Sequence, residues 1–530
     1  MRLKMNVLAI AGQGGLVDTP LLSSSHGIRL AELLSNATFI GVDDVVTASC
    51  CGHWTDCQPD DLYVAIVGPE CDGHDFAHEA IQRGARAIVT ERLLAVDFPQ
   101  VIVPDTRLAY GSICHALGGQ PCDHLTTIGV SGTDGKTVTA HLIRCILTEA
   151  GKQTGLTSSI EVNLGAKRQA VPSSDFNAPT LANQLAQMAI NGCTHAVVEV
   201  PSESLAQHSI AGVNFDVSVL TNIRREGIGD TGSFRNYRRA NLRMLDSLKP
   251  SGLAILNSDD PVTNSCLDKI EVPFLTTAIK QEAEITAKLL ERARSEQTFL
   301  LIAGNESVPV RTSIIGDQHI RNCLAAAATG LSLGIDLTTI AAGLEKAGQL
   351  PGRLERVECG QQFSVWVDAA RTVGQLSNAL RTVRQVTSGQ VWCICTIEDN
   401  QSPELRRRLG EVIDRAADQS VITRATVDSM VDYEPVHQVL DGFRNPGDAE
   451  LIPDRFRSIE WVLSNAKTGD SVLVTGCGER PFAILGDENW TVTDRDVCQA
   501  WLYDNASLKP GEAKDTASNK QDIYRMDDYR

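Results

Sequence analysis

The apolar run Leu125 to Val130 leads into Gly132-Thr133-Asp134-Gly135-Lys136-Thr137, and a helix-like stretch opens directly behind it. A strand, a glycine-rich turn and a helix in that order make a phosphate-binding loop of an α/β sheet. Glycines let backbone N–H groups close around phosphate oxygens, Lys136 supplies a point charge for the outer phosphates, and the Thr137 hydroxyl suits Mg²⁺. The pattern predicts binding of ATP or GTP. The usual consensus places a glycine where this chain has Val130, so it is only partly met. The plain alternative is a glycine-rich strand-to-helix turn with no ligand.

At 530 residues the chain has room for three or four domains, each with its own core. Its formal net charge of −18 repels polyanions and argues against a nucleic-acid partner. The apolar stretch Val7 to Ala11 is too short for a signal-peptide core, and no segment is long enough to span a membrane. Fifteen cysteines, spread thinly, read as reduced thiols of a cytoplasmic protein. Cys50, Cys51, His53 and Cys57, followed by Cys71, His74 and His78, have residue types suited to zinc. Their spacing matches no familiar finger, so they read as scattered residues of a small domain, with His74 in a loop.

The expected architecture is α/β in three domains. A small mixed α/β domain covers 1–125, with strands at Asp61–Val67 and Ala87–Thr90, a turn at Gly68–Gly73 and a helix from Phe76 to Arg83. From 126 to 350, continuous apolar strands at Thr126–Val130, His195–Val200, Phe215–Leu220 and Leu253–Leu256 alternate with helices. Runs without polar alternation imply strands covered on both faces, hence a doubly wound, mostly parallel sheet. Ser131, Glu199 with Pro201, Thr221 with Asn222, and Asn257 to Asp260 fall at the carboxyl ends of these strands, where open α/β sheets bind ligands. An alanine-rich helix is expected over Arg321–Leu333. A Rossmann-like α/β domain covers 351–505, with strands at Val365–Asp368, Val391–Ile397, Ser420–Thr423 and Ser471–Thr475. Residues 506–530 are polar and read as a disordered tail.

With that layout, the motifs resemble the Mur ligases, ATP-dependent enzymes that add amino acids to UDP-N-acetylmuramic acid, and most of all the MurE-type tripeptide synthetases. Pro59-Asp60-Asp61-Leu62-Tyr63-Val64-Ala65, Asp72-Gly73-His74 and Gly84-Ala85 resemble the family's first-domain stretch. Gly132 to Thr137 matches its G-T-x-G-K-T loop, and Val198-Glu199-Val200 with Thr221-Asn222 resembles its magnesium and substrate strands. Asn257-Ser258-Asp259-Asp260-Pro261 is similar to its N-x-D-D turn, and Gly352-Arg353-Leu354-Glu355 to the entry of its third domain. The resemblance implies acyl phosphate formation followed by attack of an amine. It implies Lys136 and Glu199 in catalysis, and Thr137 and Glu199 on magnesium. It further implies ATP on Gly132, Thr133, Asp134, Gly135, Lys136, Thr137, Val138, Asn257, Asp260, Asn322 and Arg353. Ser202, Gln207 and Arg371 would hold the substrate, a UDP-N-acetylmuramoyl-peptide or related carboxylate joined to an amino acid by a monomeric enzyme.

The pattern breaks at the chemistry. The family's metal-binding histidine corresponds to Gly227, and the lysine it carbamylates to bridge its metals corresponds to Asn241. An amide cannot take up CO₂, so the bridging anion is missing unless Glu226, Asp230 or Asp246 moves in. The E-V-S-S-H run reads Glu199-Val200-Pro201-Ser202-Glu203, and an expected arginine is Ser209. The uridine-binding D-S-R falls at His53-Trp54-Thr55. Third-domain motifs become Asp368-Ala369-Ala370-Arg371-Thr372 and Gly476-Cys477-Gly478-Glu479-Arg480. The D-N-P-R run that selects diaminopimelate is absent, with Thr423-Arg424-Ala425-Thr426-Val427 in its place. Three readings follow: an amide ligase with an altered metal site, a catalytically inactive nucleotide-binding scaffold of cell-wall synthesis, and a phosphotransferase using the loop on another acceptor.

Overall fold

A computed structural model describes residues 27–68, 71–165, 168–170, 176–225, 232–398, 401–424, 433–484 and 487–505. The chain divides into two compact units, one of residues 1–121 with 178–186 and one of residues 122–177 with 187–530. The expected disordered tail and the Gly227 segment lie outside the described residues.

The smaller unit is built on a five-stranded sheet in the order Thr38–Ile40, Gln100–Ile102, Ala87–Thr90, Leu62–Val64, Cys50–Cys51. All its pairings are parallel except the first. The strand expected over Asp61–Val67 is shorter, because the Ile66 carbonyl accepts from the Gly73 N–H and turns the chain back. His74 does not lie in a loop. It sits in the 3₁₀ turn Gly73–Phe76, 3% exposed, with its Nε2 accepting from the Glu91 N–H at 2.9 Å and its Nδ1 on Asp72. The cysteine and histidine group also disperses. Cys50 pairs with Cys114, while Cys51 and Cys57 lie with Asp61, all ligand atoms within 4.8 Å of one another. Asp61 is already engaged by Ser49 and the Gln58 N–H, and burial pushes both thiols up, away from the thiolate a metal needs.

The larger unit holds two sheets. One has eleven strands, and seven of them run parallel: Thr154–Thr157, His195–Glu199, Thr126–Ser131, Phe215–Leu220, Leu248–Asn257, Phe274–Ala278 and Ile285–Arg292. His195–Glu199 is buried along its whole length, as its unbroken apolar pattern requires. Antiparallel strands extend both edges: Glu161–Asn163 and Arg168–Ala170 on one side, Gln297–Ala303 and Glu306–Thr312 on the other. The helix Lys136–Glu149 packs with Asp317–Ser332 and Leu337–Lys346 over one face. Ile128, Val130, Ile143, Ile146 and Leu324 are almost fully buried in that layer. Each such side chain contributes about 1.5–3 kcal/mol, so the strand and helix either side of the glycine loop are firmly fixed.

The second sheet has six strands in the order Glu355–Val357, Ser364–Asp368, Ser471–Thr475, Val391–Ile397, Gln419–Arg424, Ala449–Leu451. Only the first pairing is antiparallel. Ser471–Thr475 lies between Ser364–Asp368 and Val391–Ile397 and parallel to both, so the carboxyl ends of the three strands fall side by side at one edge of the sheet. One fully buried ion pair braces it: Arg455 and Asp494, 2% and 0% exposed, meet at 2.7 Å, and Arg455 also donates to the Thr475 carbonyl.

Candidate active site

The glycine loop sits where three adjacent strands end. Thr126–Ser131 lies between His195–Glu199 and Phe215–Leu220, so Gly132, Glu199 and Thr221-Asn222 converge by topology. Gly132 and Gly135 have φ of +133° and +85°, the region where side chains are strained. Gly135 is also the N-terminal flank of the helix Lys136–Glu149, and a Cβ there would collide with Asn322 Oδ1. Asn322 thus packs on the loop it was expected to serve. Lys136 Nζ donates to its own loop, to the carbonyls of Gly132 at 2.8 Å and Thr133 at 3.2 Å. Val138 is buried one turn into the helix and serves the core.

Thr137 Oγ1 donates to Glu199 Oε1 at 2.8 Å, and the Ser159 N–H donates to Glu199 Oε2 at 2.8 Å. Ser159 Oγ lies 3.0 Å from the Thr137 hydroxyl. This brings together a hydroxyl and a carboxylate, hard oxygen donors of the kind magnesium takes, at a helix N-terminus that favours anions. The residues therefore fit Mg²⁺ held by Thr137 and Glu199. Ser159 was not singled out in the sequence, because Thr157-Ser158-Ser159 looks like any polar turn.

Thr221-Asn222 hold the loop rather than face a ligand. Thr221 Oγ1 and Asn222 Nδ2 both donate to the Asp134 carbonyl, at 2.7 and 2.9 Å, and Asn222 Oδ1 accepts from the Asp134 N–H at 3.0 Å. Asn257 Nδ2 donates to the Thr221 carbonyl at 2.9 Å. Asp260 accepts from the Ile223 and Thr263 N–H groups, capping the short helix Pro261–Asn264. Asn257, at a strand end, and Asp260, at a helix cap, thus each hold neighbouring backbone groups.

On the other flank the helix Phe234–Asp246 presents Tyr237 and Asn241 inward, both almost fully buried. Thr133 Oγ1 meets Tyr237 OH at 2.8 Å, Tyr237 OH meets Ser202 Oγ at 3.2 Å, and Ser202 donates to Asn241 Oδ1 at 3.1 Å. Asn241 Nδ2 donates to the Tyr237 carbonyl at 2.9 Å. A neutral, satisfied chain of hydrogen bonds therefore occupies the place of the lysine. Asp246 is exposed in the last turn of that helix, and Glu226 and Asp230 lie outside the described residues. Gln207 follows the helix Ser202–Ala206, tied by its backbone N–H to the Glu203 carbonyl.

The six-stranded sheet contributes Arg353, Asp368 and Arg371. Arg353 pairs with Glu479 at 2.6 Å. Leu354 has a φ of +47°, an uncommon conformation for a leucine, and its N–H donates to Asp368 Oδ2 at 2.7 Å. Burial raises the Asp368 carboxyl to about 6, opposed by the Leu354 N–H and the Arg353 guanidinium. Arg371 Nε donates to the Gly476 carbonyl at 2.9 Å and lies 3.5 Å from Glu398, which Arg480 also engages. Arg353 and Arg371 are thus held by carboxylates of their own sheet.

Three family models match the chain: "Mur ligase family, catalytic domain" over 54–111, "Mur ligase middle domain" over 130–330 and "Mur ligase, glutamate ligase domain" over 352–478. A UDP-N-acetylmuramoyl-L-alanyl-D-glutamate--2,6-diaminopimelate ligase of Geobacillus kaustophilus (strain HTA426) is 34% identical over 451 residues, which are 83% of this chain and 91% of that enzyme. The chain belongs to the Mur ligase family. A UDP-N-acetylmuramyl-tripeptide synthetase of Roseiflexus sp. (strain RS-1) is 31% identical over 81% of the chain and 89% of its own length. Among solved structures, a UDP-N-acetylmuramoyl-L-alanyl-D-glutamate--2,6-diaminopimelate ligase shares the fold at a TM-score of 0.65 and 22% identity, covering 91% of this chain and all of that one. A MurF ligase from Thermotoga maritima in complex with ADP aligns at 0.56 and 18%, over 81% of this chain and 94% of that one. The three-domain α/β fold and the relation to MurE-type Mur ligases are as the motifs implied. Mur ligases are ATP-dependent enzymes that form C–N bonds. Among the described residues no helix is long and apolar enough to cross a membrane.

Proposed function

We propose that this chain is an ATP-dependent acid–amino-acid ligase of the cytoplasm that extends a UDP-N-acetylmuramoyl-peptide or a related carboxylate, using a metal site built on Thr137 and Glu199. The observation that carries this reading is the Thr137–Glu199 contact at the mouth of a complete glycine loop. Bound there, Mg·ATP supplies a transferable phosphoryl group with its charge partly neutralised. Lys136 exchanges its two loop carbonyls for phosphate oxygens, and the loop N–H groups close around them. Ser202 and Gln207 orient the peptide carboxylate, while Arg353 and Arg371 offer cations near the transferring group. The amine enters from the six-stranded sheet. Diaminopimelate is not assigned as its source, although relatives carry it in their names, because Thr423-Arg424 replaces the selecting motif.

A second reading rests on one observation of its own. Asn241 is 0% exposed, uncharged and hydrogen-bonded through both its oxygen and its nitrogen, so nothing at that position supplies an anion to a second metal. That favours a nucleotide-binding scaffold without ligase turnover. The two readings separate on ADP release by the purified protein with Mg·ATP, UDP-muramoyl peptides and a mixed amino-acid pool, with Lys136→Ala as control. Acceptor-dependent release that the control abolishes supports the ligase. ATP binding without release sinks the ligase and leaves the scaffold.

A further inference from the structure

Within the larger unit, among the described residues, a side chain of the six-stranded part reaches the glycine loop. Gln375 Nε2 donates to Asp134 Oδ1 at 2.8 Å, across 241 residues of sequence. The loop fixes its partner in this contact tightly. The Asp134 backbone is held on the central-sheet side by Thr221 and Asn222, the residue is 7% exposed, and Oδ2 lies 3.6 Å from Arg224. Gln375 is held just as closely. It is the third residue of the helix Val373–Val386, in a capping box with Thr372, and its Oε1 accepts from the Arg371 N–H at 3.1 Å. With that oxygen occupied, the amide NH₂ has one direction left, toward Asp134. The positive end of the helix adds its own attraction for the carboxylate.

A carboxylate inside a loop meant for a polyanion opposes that ligand unless its charge is engaged elsewhere. Here it is engaged by groups of two kinds: Arg224 beside the loop and Gln375 from the other sheet. We propose that Asp134 and Gln375 are positioning residues that, together with the contacts of Arg292 with Gln385 and of Arg294 with Ser388, set the six-stranded part over the glycine loop. The contact transmits loop occupancy to the part of the molecule that delivers the amine. Only the nucleotide arm of its test rests on the ligase reading above.

The capping box makes the test interpretable, because Gln375→Glu keeps the two acceptor roles of the side chain and replaces the donor with a charged oxygen. Two carboxylates then face each other. The double variant Asp134→Asn/Gln375→Glu restores a donor and an acceptor with their direction reversed. Small-angle scattering and amide exchange of Val373–Val386 are measured for wild type and both variants, without nucleotide. The expected result is a larger radius of gyration and faster exchange in Gln375→Glu, with both returning to wild-type values in the double variant. Affinity for a fluorescent ATP analogue falls about 10-fold in the single variant, the size of one charge-assisted hydrogen bond. If Gln375→Glu folds poorly by circular dichroism, Asp134→Ala removes the acceptor without adding charge and is expected to expand the molecule in the same way. Scattering and exchange unchanged in the single variants, or a double variant as open as the single, would overturn the proposal. An analogue that fails to bind the wild type removes the nucleotide reading instead, and leaves the positioning contact to be judged by scattering and exchange.

Discussion

Asp368 offers a prediction whose sign and size follow from its surroundings. The carboxyl closes the strand Ser364–Asp368 and accepts the Leu354 and Ala370 N–H groups at 2.7 and 2.9 Å. Burial nevertheless raises its pKa from 3.8 to about 6, with Glu479 adding to the rise and Arg353 opposing it. The folded state therefore holds this proton more tightly than the unfolded chain. The stability this contributes is fully present below pH 3.8 and is lost as pH rises through about 6. At about 1.36 kcal/mol for each pH unit between those values, the loss comes to about 3 kcal/mol. Asp368→Asn removes the titration. It also places an NH₂ against one of two N–H donors, a cost that does not depend on pH. Urea unfolding of both proteins, followed by tryptophan fluorescence between about pH 4 and 8, isolates the group. The variant gains on the wild type by about 3 kcal/mol as pH rises across that range. A difference that stays constant with pH would refute the reasoning, since a carboxyl that titrates normally leaves only the constant cost.

Two further perturbations test the frame around the site. Gly135→Ala forces a side chain into φ +85° and against Asn322, so Mg·ATP affinity measured by calorimetry should fall about 10-fold or more, with a fall of a few degrees in the melting temperature. Unchanged affinity would mean the loop does not need its left-handed residue. Arg455→Met leaves Asp494 buried and unpaired, and should cost about 3–5 kcal/mol in urea unfolding. The double variant Arg455→Met/Asp494→Leu should recover much of that, and equal losses in both would show that the ion pair is not what braces the sheet.

Much of the framework was legible because long apolar runs admit few structures. His195–Glu199, Val391–Ile397 and Ser471–Thr475 are buried along their whole length, as is Phe215–Leu220 apart from Asp216, and all fall where the pattern put them. The edge strands Gln297–Ala303 and Glu306–Thr312 were not anticipated. Glu306–Thr312 is largely exposed and contains Pro309, so its own pattern is weak, whereas Gln297–Ala303 holds the apolar run Phe299 to Ala303 and buries only every second residue fully. The loop and Glu199 were legible from residue type and strand-end position. Tyr237, Ser159 and Gln375 were not, since each acts through a partner on another element, and no spacing in the chain encodes that meeting. Asn257 and Asp260 show the converse. Their motif marked a conspicuous turn, yet the structure engages both with neighbouring backbone. Asn241 was read as an absence; the structure adds that Ser202 and Tyr237 close over it.

The central claim is that Thr137, Glu199 and Lys136 form a working Mg·ATP site despite Asn241. Isothermal titration of ATP into wild type, Lys136→Ala and Glu199→Gln, each with and without magnesium, tests it most directly. The account predicts magnesium-dependent binding in the wild type, loss of binding in Lys136→Ala, and loss of the magnesium dependence in Glu199→Gln. No binding by the wild type, or binding that neither substitution alters, would contradict it.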